Sequence, residues 1–519
     1  MDRLKSLAPG AEAANALRSM ELPKLEEGEQ YRFHFDMTRC IGCRCCEVAC
    51  NEQNGNEAEV TWRRVGEIEG GSFPHVRRFH LSMACNHCLE PSCLEGCPTS
   101  AYTKLDNGIV KHNADSCIGC QYCTWNCPYG VPQYNPARRI VTKCHMCVDR
   151  IGAGSQPACV EACPVQAIQI EKVNVETWRG AIDAANAPGV PPADLTKSTT
   201  RITLPVDLPP DFGKAVAQKL EPEPAHWSLV YFLTVSQASV GMAVAALVAM
   251  LAGGSTLSGI LSSAAALIGH AALAGTLFHL GRPIHAFKAL RAWRRSWLSR
   301  EVVAFSAYAG ICIVPAVQYG ASLVLDQPLL PDWLNLAALV GTALCGLAGV
   351  YTSVRIYRIP ARPAWDSDRT TQGFFLTSVV LGAALTLAVC AVLGTLGEAP
   401  VLAAQVAAAV LAASALASAL LPWALASEGT SSEPAMRGAA QLLRQHFSRV
   451  LVLRSAIAVL LALGTTAWTF GGQTSVPLWL AAAACALAAT LEAQGRYLFF
   501  RCVVPRNMPL NFFAGKPVH

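Results

Sequence analysis

The chain has 519 residues, of which 52% are hydrophobic and only 15% charged, with a formal net charge of +5. That length allows two or three domains, and so small a positive excess, placed in short loops between apolar stretches, gives no footing for nucleic-acid binding. The composition is uneven: of 22 cysteines, 17 lie between Cys40 and Cys163, whereas Ala, Leu and Val dominate from Trp227 to Phe500.

Residues 1–30 read as an N-terminal extension with no apolar run able to serve as a signal-peptide core and no Arg-Arg pair ahead of one. The cysteine-rich part is therefore expected in a reducing cytoplasm, where dense cysteine means metal or redox chemistry and not disulfides.

Residues 31–172 carry four groups: Cys40, Cys43, Cys46, Cys50; Cys85, Cys88, Cys93, Cys97; Cys117, Cys120, Cys123, Cys127; and Cys144, Cys147, Cys159, Cys163. Each opens with C-x2-C and leaves three residues between its third and fourth cysteines. Three thiolates on one tight loop can reach three irons of a cubane, while the fourth, carried into a short helix, caps another cluster, so such groups work in pairs. Pro98, Pro128 and Pro164 follow the last cysteine in three groups and redirect the chain there. Zinc knuckles share the paired C-x2-C but do not require a repeated three-plus-one arrangement. Cys45 has no place in the ladder and is expected to pack beside the first cluster. His87, Lys143 and Arg150 stand near ligands, either as tuners of potential or as ordinary packing and surface groups.

The runs CIGCRCCEVACNEQNG, WRRV (62–65), CNHCLEPSCLEGCPTSA, DNGIVKHNADSCIGCQYCTWNCPYGVPQ, KCHMCVDR and PACVEACPVQAI resemble the four-cluster electron-transfer subunit of the dimethyl sulfoxide reductase family, over roughly residues 30–170. The resemblance implies that the first group pairs with the fourth and the second with the third. The ligand sets would be Cys40, Cys43, Cys46 with Cys163; Cys144, Cys147, Cys159 with Cys50; Cys85, Cys88, Cys93 with Cys127; and Cys117, Cys120, Cys123 with Cys97. Because Cys120 is present, four [4Fe–4S] clusters are expected. The domain should be α+β and ferredoxin-like, with pseudo-twofold halves and little apolar core beyond its clusters.

Residues 173–225, with pieces such as APGVPPADL and LPVDLPPDFG, read as an extended linker partly ordered against the cluster domain. Residues 226–505 then read as an all-α bundle of eight transmembrane helices, near 227–252, 257–280, 301–324, 333–354, 371–397, 401–426, 450–470 and 477–500. Arg282, Lys288, Arg291, Arg294, Arg295 and Arg300 follow the second span; Arg355, Arg358, Arg362 and Arg369 the fourth; Arg437, Arg444 and Arg449 the sixth. The loops on the other side contain no Lys or Arg. By the positive-inside rule the basic side is cytoplasmic, together with both termini and the tail 506–519.

HWSLVYFLTVSQASVG (226–241), FHLGRP (278–283), SWLSREV (296–302) and EAQGRYLFF (492–500) resemble the membrane anchor subunit of the same reductases. The resemblance implies that His279 and Glu301 bind quinol, with Arg282 a weaker candidate. A histidine can exchange protons near neutral pH, and an intramembrane glutamate is costly unless used or paired; the competing reading is Glu301 neutralised by Arg300 or Arg282. Glu492 and Arg496, four positions apart, are expected to form an ion pair. His270 and His279 are the histidines inside apolar spans and share one helix, so no haem is expected, and quinone (ubiquinone or menaquinone) should lie close to a cluster.

Together these features suggest a fused electron-transfer and anchor subunit in the inner membrane, partnered by a molybdopterin-containing catalytic subunit, with sulfite oxidation coupled to quinone reduction. Quinol-dependent reduction of dimethyl sulfoxide or a related S- or N-oxide is the alternative, and a proton-translocating redox module is a second.

Overall fold

The computed structural model describes residues 22–506 apart from 58, 207, 209–211, 213–219, 326 and 474. Most of the N-terminal extension and the tail from 507 onward lie outside the described residues.

The cluster domain is organised by β1 (Glu29–Asp36), the central strand of a three-stranded sheet. Four short helices follow its cysteine groups: α1 (Cys45–Asn54), α2 (Ser92–Gly96), α3 (Tyr122–Asn126) and, beyond α4 (Val148–Gly152), α5 (Ala158–Glu161). Between them run three hairpins: β2 (Arg64–Gly70) with β3 (Arg77–Met83), β4 (Tyr102–Lys104) with β5 (Val110–His112), and β6 (Gln133–Asn135) with β7 (Ile140–Thr142). β8 (Ile168–Asn174) pairs antiparallel with β1, setting Phe33 opposite Ile170 and Phe35 opposite Ile168. These side chains close over Ile68 and Leu81 of the first hairpin, so the domain has a larger apolar core than expected. The sheet supplies it, because alternate residues of β1 turn inward. On the opposite face Glu171 holds Arg32 and His34, each at 2.9 Å.

The expected linker is also more built-in than an extended connector. After helix α6 (Val175–Arg179), the strand β9 (Arg201–Thr203) pairs parallel with β1 on its free edge. Thr199 and Thr200 bond the carbonyl and side-chain oxygens of Asn86, and Thr196 reaches the Cys88 sulfur at 3.1 Å. Backbone pairing and threonine hydroxyls carry this order, and neither shows as hydrophobic periodicity.

Among the described residues, eight helices are long and apolar enough to cross a membrane. They are α7 (Trp227–Leu251), α8 (Ser255–Thr276, extended by a 3₁₀ turn to His279), α9 (Trp297–Leu325), α10 (Asp332–Tyr357), α11 (Asp368–Thr395), α12 (Val401–Ala426), α14 (Ser448–Phe470) and α15 (Leu478–Arg501). Between the sixth and seventh lies α13 (Pro434–His446), whose Ala439, Leu442 and Leu443 are buried. Helices α7 to α10 pack as one group and α11, α12, α14 and α15 as another, with α7 also against α11 and α15. The outer surface is apolar, as at Leu267, Val324, Leu402 and Leu463, and Trp227, Trp333 and Trp479 stand exposed in the first turns of their helices, the pattern of a lipid-facing belt.

The two groups meet where Gly241 of α7 faces Gly382 of α11. A Cβ built on Gly241 would fall 2.9 Å from Gly382 Cα and against the Ser378 carbonyl. Gly310, in contrast, has open space around it. Gly241→Leu should therefore wedge α7 from α11 and abolish accumulation of folded protein in membranes, while Gly310→Leu leaves it near wild type. Size-exclusion profiles of detergent extracts would show the difference.

Candidate functional site

The four cysteine groups repeat one local backbone device. The residue two positions after the first cysteine has positive φ in every group: Gly42 (69°), His87 (45°), Gly119 (68°) and Met146 (56°). This turn swings backbone N–H groups toward sulfur, so His87, Gly119 and Met146 donate to Cys85, Cys117 and Cys144 at 3.5, 3.4 and 3.4 Å. Beyond the fourth cysteines, Ala101 and Ala167 donate to Cys97 and Cys163 at 3.3 and 3.2 Å. The fourth cysteine follows the end of its short helix in three groups, and only Cys50 stands within one. This corrects the expected helical placement; the turn after the helix, with Ser100, Gly130 and Gln166 at positive φ, aims the sulfur instead. Cys45 is exposed and not packed.

The thiols gather across groups. Cys40 lies beside Cys46, Cys163 and Cys43; Cys50 beside Cys144, Cys159 and Cys147; Cys93 beside Cys127, Cys85 and Cys88; and Cys123 beside Cys120, Cys97 and Cys117. Cys85, Cys88, Cys93 and Cys127 line one cavity. Among the described residues no three His, Cys, Asp or Glu groups converge on a single ion. Burial pushes the Cys85, Cys88 and Cys93 thiols up, Cys88 to about 12, so these three bind metal only by giving up protons that they otherwise hold tightly. Burial, followed by the nearby Lys143 charge, holds His87 well below its usual range, and its Nδ1 accepts the Val110 N–H at 3.0 Å. Arg150 is occupied by Glu161, Gln53 and the Gln156 carbonyl.

The sets form a row. Cys159 also neighbours Cys46, Cys85 neighbours Cys144, and Tyr102 neighbours Cys123, Cys93 and Cys97. The order therefore runs from the Cys40 set through the Cys144 and Cys85 sets to the Cys117 set.

That last set meets the membrane half. Arg282 N–H donates to the Ile118 carbonyl at 3.0 Å, its Nη1 to Ala114 at 3.1 Å, and Lys288 Nζ to Asp115 at 2.8 Å. Ser296 and Ser299 donate to the carbonyls of Gly96 and Pro98, on either side of Cys97. A Cβ on Gly119 would lie 3.0 Å from Gly281 Cα, so two backbones touch there. From α3, Tyr122 donates to the Ile356 carbonyl at 2.8 Å, and the Trp125 ring meets those of His226 and Trp365 at 5.2 and 5.3 Å.

His279 and Glu301 flank this docked helix. His279 is half-buried beside His226, and its ring lies against the Thr276 backbone one turn back, with Nδ1 buried. Burial, with Arg362 and His279 close by, pushes His226 down to about 4, so it is neutral. The Glu301 carboxylate accepts from Ser353 and neighbours Tyr122 and Tyr357. Neither Arg300 nor Arg282 pairs with it: Arg300 bonds the Trp293 and Arg294 carbonyls, and Arg282 is committed to the cluster domain. The expected Glu492–Arg496 pair is also replaced. Glu492 lies 3.7 Å from Arg454 and accepts from Thr377 and Ser418, while Arg496 reaches Gln237, Gly373 and Thr377. Gly373, Thr377, Ser418, Glu492 and Arg496 border a second cavity. Sequence alone does not single out Tyr122, Trp125, His226, Ser353 or Arg454; the one available signal is the aromatic pair in QYCTWNC.

Residues 223–501 match the family described as DMSO reductase anchor subunit, and residues 76–173 match the 4Fe-4S dicluster domain. The chain is a member of the DMSO reductase anchor subunit family. Its iron–sulfur half is 38% identical over 178 residues to an anaerobic dimethyl sulfoxide reductase chain of Haemophilus influenzae, covering 33% of this chain and 86% of that one. It is 40% identical over 176 residues to the corresponding anaerobic dimethyl sulfoxide reductase chain of Escherichia coli, covering 32% and 85%. A sulfite dehydrogenase subunit of Allochromatium vinosum is 36% identical over 154 residues, covering 25% and 64%. The protein is thus a multi-pass membrane anchor fused to an electron-transfer domain that binds 4Fe–4S clusters.

Gly281→Leu should lift the anchor away from Arg139 and Gly119. Cluster content, read by iron analysis, should stay at the wild-type level while limited proteolysis separates the cluster domain from the anchor more readily than in the wild type.

Proposed function

We propose that the chain carries electrons between a molybdopterin-containing catalytic subunit and the membrane quinone pool through four [4Fe–4S] clusters held by the sixteen cysteines of the ladder. The observation that carries the reading is the seating of the Cys117–Cys127 loop among the helix ends that bear His279 and Glu301. Electrons tunnel only over short gaps, and this seating leaves no need for a membrane relay. Each cluster, when bound, takes up or releases one electron. The chain supplies the N–H donors that stabilise ligand sulfur, and the buried side chains that exclude water between the sets.

At the membrane end, a quinone needs two protons with two electrons. The buried His279 imidazole, with the Thr276 backbone beside it, is placed to hydrogen-bond a quinone oxygen, and Glu301, held by Ser353, to hold or pass a proton. Arg282 serves docking in this reading and leaves the quinone to the other two. At the opposite end, Cys43 is exposed and flanked by the exposed apolar side chains of Ile41 and Val48, a surface suited to a protein partner. The basic loops and the docked cluster domain share one side, which the positive-inside rule makes cytoplasmic.

Sulfite oxidation feeding quinone is the direction we favour, since a cytoplasmic cluster domain and the sulfite dehydrogenase relative both fit it. Reduction of a sulfoxide is the second reading, supported by the higher identity to the sulfoxide reductase relatives. Assaying the copurifying large subunit with sulfite and with sulfoxides decides between them.

Anaerobically purified protein should hold about sixteen irons with matching sulfide; zinc in their place would sink the proposal. His279→Leu and Glu301→Gln should each lower quinone-linked turnover by about 10²-fold or more with iron unchanged, and normal turnover would remove that residue from the site. A reporter fused after residue 519 should be active only as a cytoplasmic fusion.

A further inference from the structure

Two buried cations stand between the sulfur sets. Arg63 is 2% exposed. Its Nη1 donates to Ser82 Oγ at 3.1 Å, and that oxygen lies 3.4 Å from Cys46 Sγ. The guanidinium stacks on Phe33 at 4.7 Å, and Nε and Nη2 are buried without a protein partner. Among the described residues no carboxylate forms an ion pair with it; its neighbouring anions are Cys159, Cys46, Cys144 and Cys50, which belong to the first two sets in the row. Lys143, also 2% exposed, repeats the arrangement one gap further on. Its Nζ donates to Cys85 Sγ at 3.6 Å and to the carbonyls of Val110 and Cys144, and it neighbours Cys85, Cys93 and Cys144.

The third gap differs. Tyr102 fills it with a neutral ring, packed at 4.9 Å on His112, which burial pushes down to about 4 and so leaves uncharged. Arg282 lies outside that gap, tied to the carbonyls of Ala114 and Arg138 with its charge near Cys117 of the last set.

A buried cation without a carboxylate is costly unless something anionic is beside it. Thiolate-ligated clusters are anionic, become more so on reduction, and have potentials set by nearby charge and hydrogen bonds. We propose that Arg63 and Lys143 are fixed countercharges, each shared by two neighbouring clusters, which raise the potentials of the first three clusters and leave the membrane-proximal one outside their reach. The inference rests on the four-cluster reading above. One electron enters each cluster per reduction, and the charge it adds is met by a cation already in place, so no bond is made or broken and no proton is taken up.

The test is a potentiometric titration of the full-length protein in membranes, followed by electron paramagnetic resonance. Arg63→Gln should lower the midpoints of the two clusters flanking it, giving at least a tenfold smaller reduced-to-oxidised ratio at the wild-type midpoint, about 59 mV for a one-electron couple. Lys143→Met should do the same to the second and third clusters. Arg63→Lys and Lys143→Arg should stay near wild type, and the membrane-proximal cluster should be unmoved in every variant. Loss of the flanking clusters from Arg63→Gln with their retention in Arg63→Lys supports the same conclusion, because a countercharge is then required for binding itself. Full iron with unchanged midpoints in Arg63→Gln overturns the proposal, as does an equal shift in Arg63→Lys, which would make packing the cause. A wild-type protein with fewer than four clusters would instead break the four-cluster reading.

Discussion

Electron transfer falls off steeply with distance, so a row of redox centres works only if its last member is held against the membrane site without slack. The structure meets that constraint with backbone. Gly119, on the loop carrying Cys117 and Cys120, lies against Gly281, and a side chain at either position would collide with the Arg139 carbonyl. The cysteine spacing already requires a positive φ at Gly119. One residue therefore serves both the sulfur-binding turn and the closest approach to the bundle, and the two functions cannot drift apart.

The sequence made the two halves and their chemistry legible for different reasons. Cysteine spacing is a direct record of loop geometry, so the groups were readable, and apolar runs of membrane length left all eight spans visible. What stayed hidden lies in contacts between distant segments. Arg496 stands one turn from Glu492, yet the salt bridge runs to Arg454 on another helix, because Thr377 and Gln237 take up the Arg496 donors. Helical spacing shows which residues can meet and says nothing of a better partner across a packed interface. The order in residues 175–203 was hidden likewise, since it depends on a three-residue strand and on threonine hydroxyls aimed at cluster loops.

The two helix groups of the anchor divide the polar content. The first carries His279 and Glu301 at its cluster-facing ends, the histidine beside the Thr276 backbone and the glutamate held by Ser353. In the second, Glu492 is fully engaged by Arg454, Thr377 and Ser418, drawing α11, α12, α14 and α15 together. Buried polar contacts of this kind fix helix register more than they stabilise the fold, since desolvation offsets much of the attraction and Nε of both Arg454 and Arg496 stays buried without a partner. The Glu492 contacts therefore act on helix packing, whereas His279 and Glu301 stand where the cluster domain docks.

The interface between the halves is unusual in what it reads. On the cluster side its acceptors are mostly main-chain carbonyls: Gly96, Pro98, Ala114, Asp115 and Ile118 receive bonds from Ala292, Ser296, Ser299, Lys288 and Arg282. Such contacts specify a backbone shape more than side-chain identity, so they depend on the cluster loops already holding their turns. The sulfoxide reductase relatives match only a third of this chain while being covered over most of their own length, so the membrane half has no counterpart in that alignment. Joining the two halves in one chain makes docking intramolecular, which raises the effective concentration of each for the other and lowers the entropy cost of association. A modest interface of carbonyl contacts, with Tyr122 and Trp125 packed among the anchor's aromatic rings, can then hold a tunnelling distance that two separate chains would need a larger surface to maintain.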